Sequence, residues 1–217
     1  MSVFNGDKYL SNSIDSILNQ TYSDIELLIL NDGSTDNTSR ILNSYQKHQK
    51  IRLFRNNENI GLTKSLNLLI NHSKGRYIAR QDCDDLSDPK RLENQLSFLL
   101  EHDLDACTTR ALNKQSNRLI PGFSYFLPYK VSVKFKNPFI HGTLLIKSDV
   151  LKEIMYDERL YYSQDFLLFL QIIKSYKIKT LNECLYILNT RDNISEKYKS
   201  EQKFFYKLAK NFFNEVY

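Results

Sequence analysis

Four short apolar runs alternate with four amphipathic stripes over the first hundred residues, and few folds accommodate that rhythm. The runs are Met1–Phe4, Ile25–Leu30, Ile51–Phe54 and Arg76–Arg80. Ile25–Leu30 is almost continuously apolar, as strands buried on both faces are. Between the runs, helical spacing appears in Tyr9, Leu10, Ile14, Ile17 and Leu18, then in Ile41, Leu42 and Tyr45 after a cap at Ser34 or Thr35. It returns in Leu62, Leu66, Leu69 and Ile70 behind Gly61, and in Leu92, Leu96, Leu99 and Leu100, with Pro89 in the first turn. Connections of a few residues between such elements predict an α/β protein: a mostly parallel sheet with helices on both faces. Ligands of these sheets bind beyond the carboxyl ends of the strands, where Asn5, Asn31-Asp32 and Asp82-Asp84 all fall.

The fourth run delivers Gln81-Asp82-Cys83-Asp84-Asp85, with three carboxylates in four positions. In an extended segment Asp82 and Asp84 share a face and Cys83 turns towards the core. Crowded carboxylates of this kind suit a hard divalent cation, which for Mg2+ commonly also holds substrate phosphates. A solvated acidic loop that caps the following helix has the same composition, so the cluster alone leaves both readings open.

With 217 residues, 41% of them hydrophobic, the chain has enough material for one sizeable core. A net charge of +5 suits nucleotides, anionic membrane surfaces or nucleic acid, and no nucleic-acid-binding module accompanies it. The cysteines Cys83, Cys107 and Cys184 show no zinc-type spacing and predict a reduced, cytoplasmic chain. No apolar run is long enough to span a bilayer, and no signal-peptide pattern opens the sequence. Beyond Cys107 the rhythm breaks. Residues 109 to 140 predict a hairpin and a short helix around Val131 to Phe135, followed by a strand at Gly142 to Ile146 and helices from Ser148 and over Asp165 to Ile173. The expected organisation is one domain over 1–217. It comprises a nucleotide-binding half (1–108), an acceptor and catalytic half (109–194) and a basic amphipathic helix (195–217) that suits the inner face of a membrane.

Six segments resemble the inverting family 2 glycosyltransferases: Ser2–Leu10, Ser16–Tyr22, Leu30–Asp36, Asn59–Leu62, Gly75–Asp85 and Gln164–Phe166. The resemblance implies the Rossmann-like GT-A fold of nucleotide-diphospho-sugar transferases, and transfer from a nucleotide-sugar donor such as a UDP-sugar to a glycan or lipid-linked acceptor. It implies that Asp32 meets the uracil ring, with Phe4 beside the base and Ser2 near the same pocket. By the same resemblance Asp84, with Asp82, holds Mn2+ or Mg2+ at the diphosphate, Arg80 balances diphosphate charge, and Asp165 is the general base. His141 and Gln164 fall where donor or acceptor contacts lie. Without the resemblance, Asp165 reads as a helix N-cap. The alternative within the same fold is a noncatalytic nucleotide- or glycan-binding relative.

The sequence departs from the family pattern in three places. Asn31 stands beside Asp32 where paired acids are usual, Gln164 stands where Glu is common, and Leu188–Ser195 lacks an Arg-any-His pattern, with Arg191 as a substitute. The first strand is also short, which predicts a partner-poor stretch along Ile25–Leu30 at ~1 to 3 kcal/mol per unpaired buried backbone group. On this reading the natural product begins upstream, or this form is poorly stable and weakly active.

Overall fold

A computed structural model describes residues 1–133, 137–191 and 199–216. The elements of the first half follow the predicted alternation: β1 (Ser2–Val3), α1 (Leu10–Leu18), β2 (Leu27–Asp32), α2 (Thr38–Ser44), β3 (Ile51–Asn56), α3 (Leu62–His72) and β4 (Tyr77–Ala79). Strands β1, β2 and β3 form a parallel sheet, with Ser2 opposite Leu30 and Leu27 opposite Ile51. Its core gathers Val3, Leu10, Ile14, Ile29, Leu42 and Ile51, as the apolar stripes require.

The α/β architecture stands, but parallel pairing does not run through the whole sheet. Strand β4 joins a second, six-stranded sheet instead, pairing antiparallel with β8 (Leu145–Lys147). That sheet runs β4-β8-β6-β9-β5, where β5 is Leu86–Ser87, β6 is Ala106–Asn113 and β9 is Ile178–Leu188; β7 (Arg118–Ile120) hairpins onto β6. The β6–β9 pair is parallel, with register shifts at Thr109/Arg110 and Arg110/Leu112. Those irregularities interrupt the inward alternation of Ile178 and Thr180, which left the longest strand unread in the sequence.

Four local expectations are corrected. Helix α4 (Arg91–Glu101) starts two residues after Pro89, because the chain first lays Leu86–Ser87 against β9. Leu100 is 58% exposed, and the buried face of α4 carries Arg91 and Gln95 along with Leu92 and Leu99. Ser34 and Thr35 do not cap α2; Asp36 accepts from Thr38 N at 2.9 Å, while Ser34 and Thr35 fasten Asn5. The strand expected at Gly142 begins at Leu145, after a 3-10 turn over His141–Thr143.

Helix α5 (Tyr129–Ser132) opens the short helix expected there, whose end at residues 134–136 lies outside the described residues. Helices α6 (Ser148–Ile154) and α7 (Gln164–Ser175) match expectation. The C-terminal helix α8 (Lys199–Val216) lays Phe205, Tyr206, Leu208 and Ala209 against Phe166, Leu167 and Leu170 of α7. Part of its apolar face is therefore ordinary core, and Lys203, Phe204 and Lys207 face outward. Residues 192–198, which hold the end of the Leu188–Ser195 segment, lie outside the described residues.

Candidate active site

The tips of β1 and β2 are locked together by short polar bonds. Asn5, at φ 51°, receives Thr35 N on its Oδ1 at 2.9 Å and donates its own N–H to Ser34 Oγ at 3.0 Å. Gly6 N donates to Thr38 Oγ1, and Asp7 N to Asp36 Oδ2. Asp32, at the end of β2, is only 2% exposed. Its Oδ1 accepts from Asn56 Nδ2 at 2.8 Å and from Ile60 N at 3.0 Å, and its Oδ2 accepts from Gly61 N at 3.0 Å. Gly33, at φ +68°, is a position of necessity, since a Cβ there would lie 2.7 Å from Asn59 N. Phe4 stands 47% exposed beside this platform, and Ser2 is partly buried.

The acidic segment is a turn rather than an extended strand, with Asp85 N bonded to Asp82 O at 3.4 Å. Cys83 does turn inward, against the core beneath β1 and β2. Burial, then Asp84 and Asp82, drive its thiol far above the usual range, so it is no nucleophile. The three carboxylates have different fates. Asp82 pairs with Arg80; burial opposes its ionisation, but Arg80, with His141 and the Met1 amine nearby, holds its carboxyl below the usual range. Asp85 is buried and accepts from Asn189 N at 2.7 Å, which ties the end of β9 to the turn. It therefore anchors β9 and does not cap α4, whose first turn is closed by Asp88 O accepting from Arg91 N at 3.0 Å. Burial, then Asp82 and Asp84, push Asp85 up to about 8. Asp84 receives no side-chain hydrogen bond or ion pair from another residue among the described residues, and burial with Asp82's charge pushes it up to about 6.

Arg80 is buried and reaches three groups. It grips Asp82, donates Nε–H to His141 Nε2 at 3.3 Å and Nη1–H to Gln81 O at 3.3 Å. Burial works against its charge, and Asp82 restores it, so the guanidinium remains firmly ionised. The Tyr156 hydroxyl lies 2.6 Å from the same His141 nitrogen. With Arg80 donating, His141 Nε2 is an acceptor and the Tyr156 hydroxyl donates to it. Burial, then Arg80's charge, pull the imidazole down to about 3, so it is neutral.

Asp165 lies in the first turn of α7 but is not its N-cap, which is Ser163 in a left-handed conformation at φ 56°. Asn137 Nδ2 donates to Asp165 Oδ2 at 2.8 Å, and the Tyr156 hydroxyl feels the charges of both Asp82 and Asp165. Burial raises the Asp165 carboxyl above its ordinary range. Gln164 is buried beside it. One electrostatic group thus runs from Asp82 through Arg80, His141 and Tyr156 to Asp165, while the Asp32 platform stands apart in its own hydrogen-bond network.

Sequence reading missed the residues that hold this group. Arg91, entirely buried, donates from Nη1 to the carbonyls of Arg80 and Gly142 at 3.0 and 3.1 Å, and stacks its guanidinium 5.4 Å from the Tyr186 ring centre. Burial pulls it down to about 10, still charged. Tyr186 OH accepts from Asp82 N at 3.2 Å, and a Cβ on Gly142 would collide with that hydroxyl and reach within 3.0 Å of Asp82 Oδ2. A signal existed: Arg91 and Gln95 stand four apart within a leucine stripe, a polar pair on the face that has to be buried.

The family described as Glycosyl transferase family 2 matches residues 1–154. The chain belongs to that family. It is 36% identical over 162 residues to the putative glycosyltransferase EpsE of Bacillus subtilis (strain 168), covering 71% of this chain and 57% of EpsE. It is 38% identical over 205 residues to the O-antigen biosynthesis glycosyltransferase WbnJ of Escherichia coli, covering 90% of this chain and 75% of WbnJ. Among solved structures, S. aureus TarS 1–349 in complex with UDP-GlcNAc superposes with a TM-score of 0.78 at 20% identity, over 91% of this chain and 59% of that one. The mannosyltransferase PcManGT of Pyrobaculum calidifontis, in complex with GDP-Man and Mn2+, gives 0.72 at 16% identity, over 93% and 59%. These two show the GT-A fold. The chain spans a little over half the length of EpsE and of both structures.

Proposed function

We propose that this family 2 chain transfers a hexosyl or N-acetylhexosaminyl group from a nucleotide-diphosphate donor, UDP-linked, to a glycan or lipid-linked acceptor with inversion. The process would be assembly of a surface polysaccharide such as lipopolysaccharide or capsule. The observation that carries the reading is Asp165, a half-buried carboxylate with a raised pKa, steadied by Asn137 and linked electrostatically through Tyr156 to the Asp82–Arg80 pair. A general base needs this environment, because burial moves its pKa towards the working pH. Asp165 takes the proton of the acceptor hydroxyl as that oxygen bonds to the anomeric carbon, and the carbon–oxygen bond to the diphosphate breaks with its electron pair leaving on the nucleotide. A single displacement inverts the carbon. Arg80 and neutral His141 face the developing charge from one side, and the Asn5–Asp32 platform with Phe4 receives the base.

Among the described residues no group of three or more His, Cys, Asp or Glu side chains is placed to hold a metal, so a divalent cation would take Asp84 and Asp82 from the chain; Asp84 has no partner there, and burial, then Asp82's charge, push it up to about 6. Mn2+ or Mg2+ bound there would neutralise diphosphate charge. TarS in complex with UDP-GlcNAc, PcManGT in complex with GDP-Man and Mn2+, and the O-antigen biosynthesis glycosyltransferase WbnJ support the same reading.

Calorimetric titration of UDP and GDP, with and without Mn2+, tests it. UDP binding that needs Mn2+ and is lost in Asp84→Ala is expected, while Asp165→Asn keeps UDP binding and loses transfer by roughly 10²–10⁴-fold. No nucleotide binding by the folded chain, or full transfer by Asp165→Asn, would sink the proposal.

For location we propose the cytoplasmic face of a membrane. No helix of the described residues is long and apolar enough to cross one. The outward Lys203, Phe204 and Lys207 of α8 support peripheral docking to anionic lipid. Flotation with anionic liposomes should fall when the chain is ended near Ser195, and equal flotation removes this element.

A further inference from the structure

The segment between Tyr156 and Ser163 is strapped along the first turns of α3. Asn67 donates Nδ2–H to Tyr156 O at 2.9 Å and accepts from Tyr156 N at 3.0 Å, and Thr63 Oγ1 donates to Leu160 O at 3.0 Å. Leu160 is fully buried, whereas the next residue, Tyr161, is 62% exposed. The edge of its ring borders Gly61: a Cβ built on that glycine would meet Tyr161 Cε2 at 3.5 Å. Gly61 is the residue whose amide donates to Asp32 Oδ2. An aromatic side chain from the second half of the chain thus rests against the platform of the first. Tyr162 packs edge-on against it at 4.9 Å between ring centres, and itself meets Phe205 of α8 edge-on at 5.6 Å.

We infer that Tyr161 is a wall of the nucleobase slot and stacks its ring on the base, an inference that rests on the nucleotide-donor reading proposed above. The chemistry follows from the ring. An exposed aromatic face gains most from a flat ligand with a π-face of its own, and every nucleobase offers one. The place follows from Gly61. At φ +92° and without a side chain, it leaves nothing between the tyrosine ring and the backbone that closes the Asp32 network. A sugar ring of the acceptor also stacks on aromatic faces, but Tyr161 borders the Asp32 platform, which stands apart from the group around Asp82 and Asp165.

The same strap joins this slot to the general base. At its start the Tyr156 hydroxyl bonds His141, and at its end Ser163 is the N-cap of α7, two residues ahead of Asp165. A base stacked on Tyr161 adds a contact between the two halves of the chain and acts on the segment that leads into Asp165.

Calorimetric titration of UDP with Mn2+ into the full chain, Tyr161→Leu and Tyr161→Phe tests it, with Tm measured on each. Leu keeps apolar bulk and removes the π-face, so UDP is expected to bind about tenfold more weakly, whereas Phe keeps the face and should bind within about twofold of the parent. Because the ring is mostly exposed, Tm should stay within about 2 °C in both variants. Parental affinity in Tyr161→Leu, or a Phe variant as weak as the Leu one, overturns the inference and leaves the donor reading intact. A loss of UDP binding that tracks a fall in Tm, or an effect confined to the KM of the acceptor, overturns it as well. A parent chain that binds no nucleotide instead removes the donor reading, and this inference with it.

Discussion

The Asp32 platform and the Asp84 turn sit at neighbouring strand ends and treat carboxylates in opposite ways. Asp32 is buried with three donors on its two oxygens, and Asp36 nearby takes the amides of Asp7 and Thr38. At the turn, Asp84 is crowded by Asp82 and receives no partner among the described residues. The hydrogen bonds of the platform are satisfied within the protein, whereas the turn leaves Asp84 crowded and without a partner among the described residues. On the function proposed above, nucleotide recognition would be divided between a rigid surface and a site of stored repulsion.

The sharpest way to break this comparison is to remove each carboxylate. Asp32→Ala leaves the Ile60 amide without its acceptor and leaves the Gly61 amide and the Asn56 side chain only Asn59 Oδ1 and Ser65 Oγ, at a total cost of about 3 kcal/mol. Thermal unfolding should show a fall of roughly 6–12 °C; an unchanged Tm would mean that the platform does not depend on Asp32. The next effect is metal binding. Mn2+ at about a hundredfold excess over its Kd should stabilise the chain by about 2.7 kcal/mol, and Asp84→Ala should abolish that gain. A gain that survives Asp84→Ala would place the cation elsewhere.

The smallest effect concerns protons. A carboxyl raised to about 6 binds protons more tightly folded than unfolded, so its contribution is favourable at low pH and is lost as pH rises through 6. Without metal, Asp84→Asn should therefore be more stable than the parent by on the order of 1–2 kcal/mol at pH 8, and the difference should vanish towards pH 4. Urea unfolding across that range measures it. A constant difference would deny the repulsion.

The elements that place these groups were legible where the pattern is local. The run Ile25–Leu30, the stripes of α1 and α3 and the turn chemistry after Asp32 each state their structure within a few residues. What failed is non-local. That β4 leaves the parallel sheet depends on β8, about seventy residues later, and Leu86–Ser87 became a strand only because β9 returns beside it. The candidate site divides the same way. Asp32, Asp82, Asp84 and Asp165 stand at predictable ends of strands and helices, while Tyr156, Tyr186 and Asn137 contribute through contacts that no spacing announces. Asp165 shows the limit from the other side: its sequence context suggested a cap, and the cap is its neighbour but one, Ser163.

Arg91 brings two chain segments, about sixty residues apart in sequence, onto one guanidinium through the carbonyls of Arg80 and Gly142. The strand that leads into the acidic turn and the turn that carries His141 are therefore tied to one buried side chain as well as to each other. A substitution that shrinks Arg91 would strip both carbonyls of their donor at once, so the acidic turn and the imidazole depend on the same buried cation for their placement.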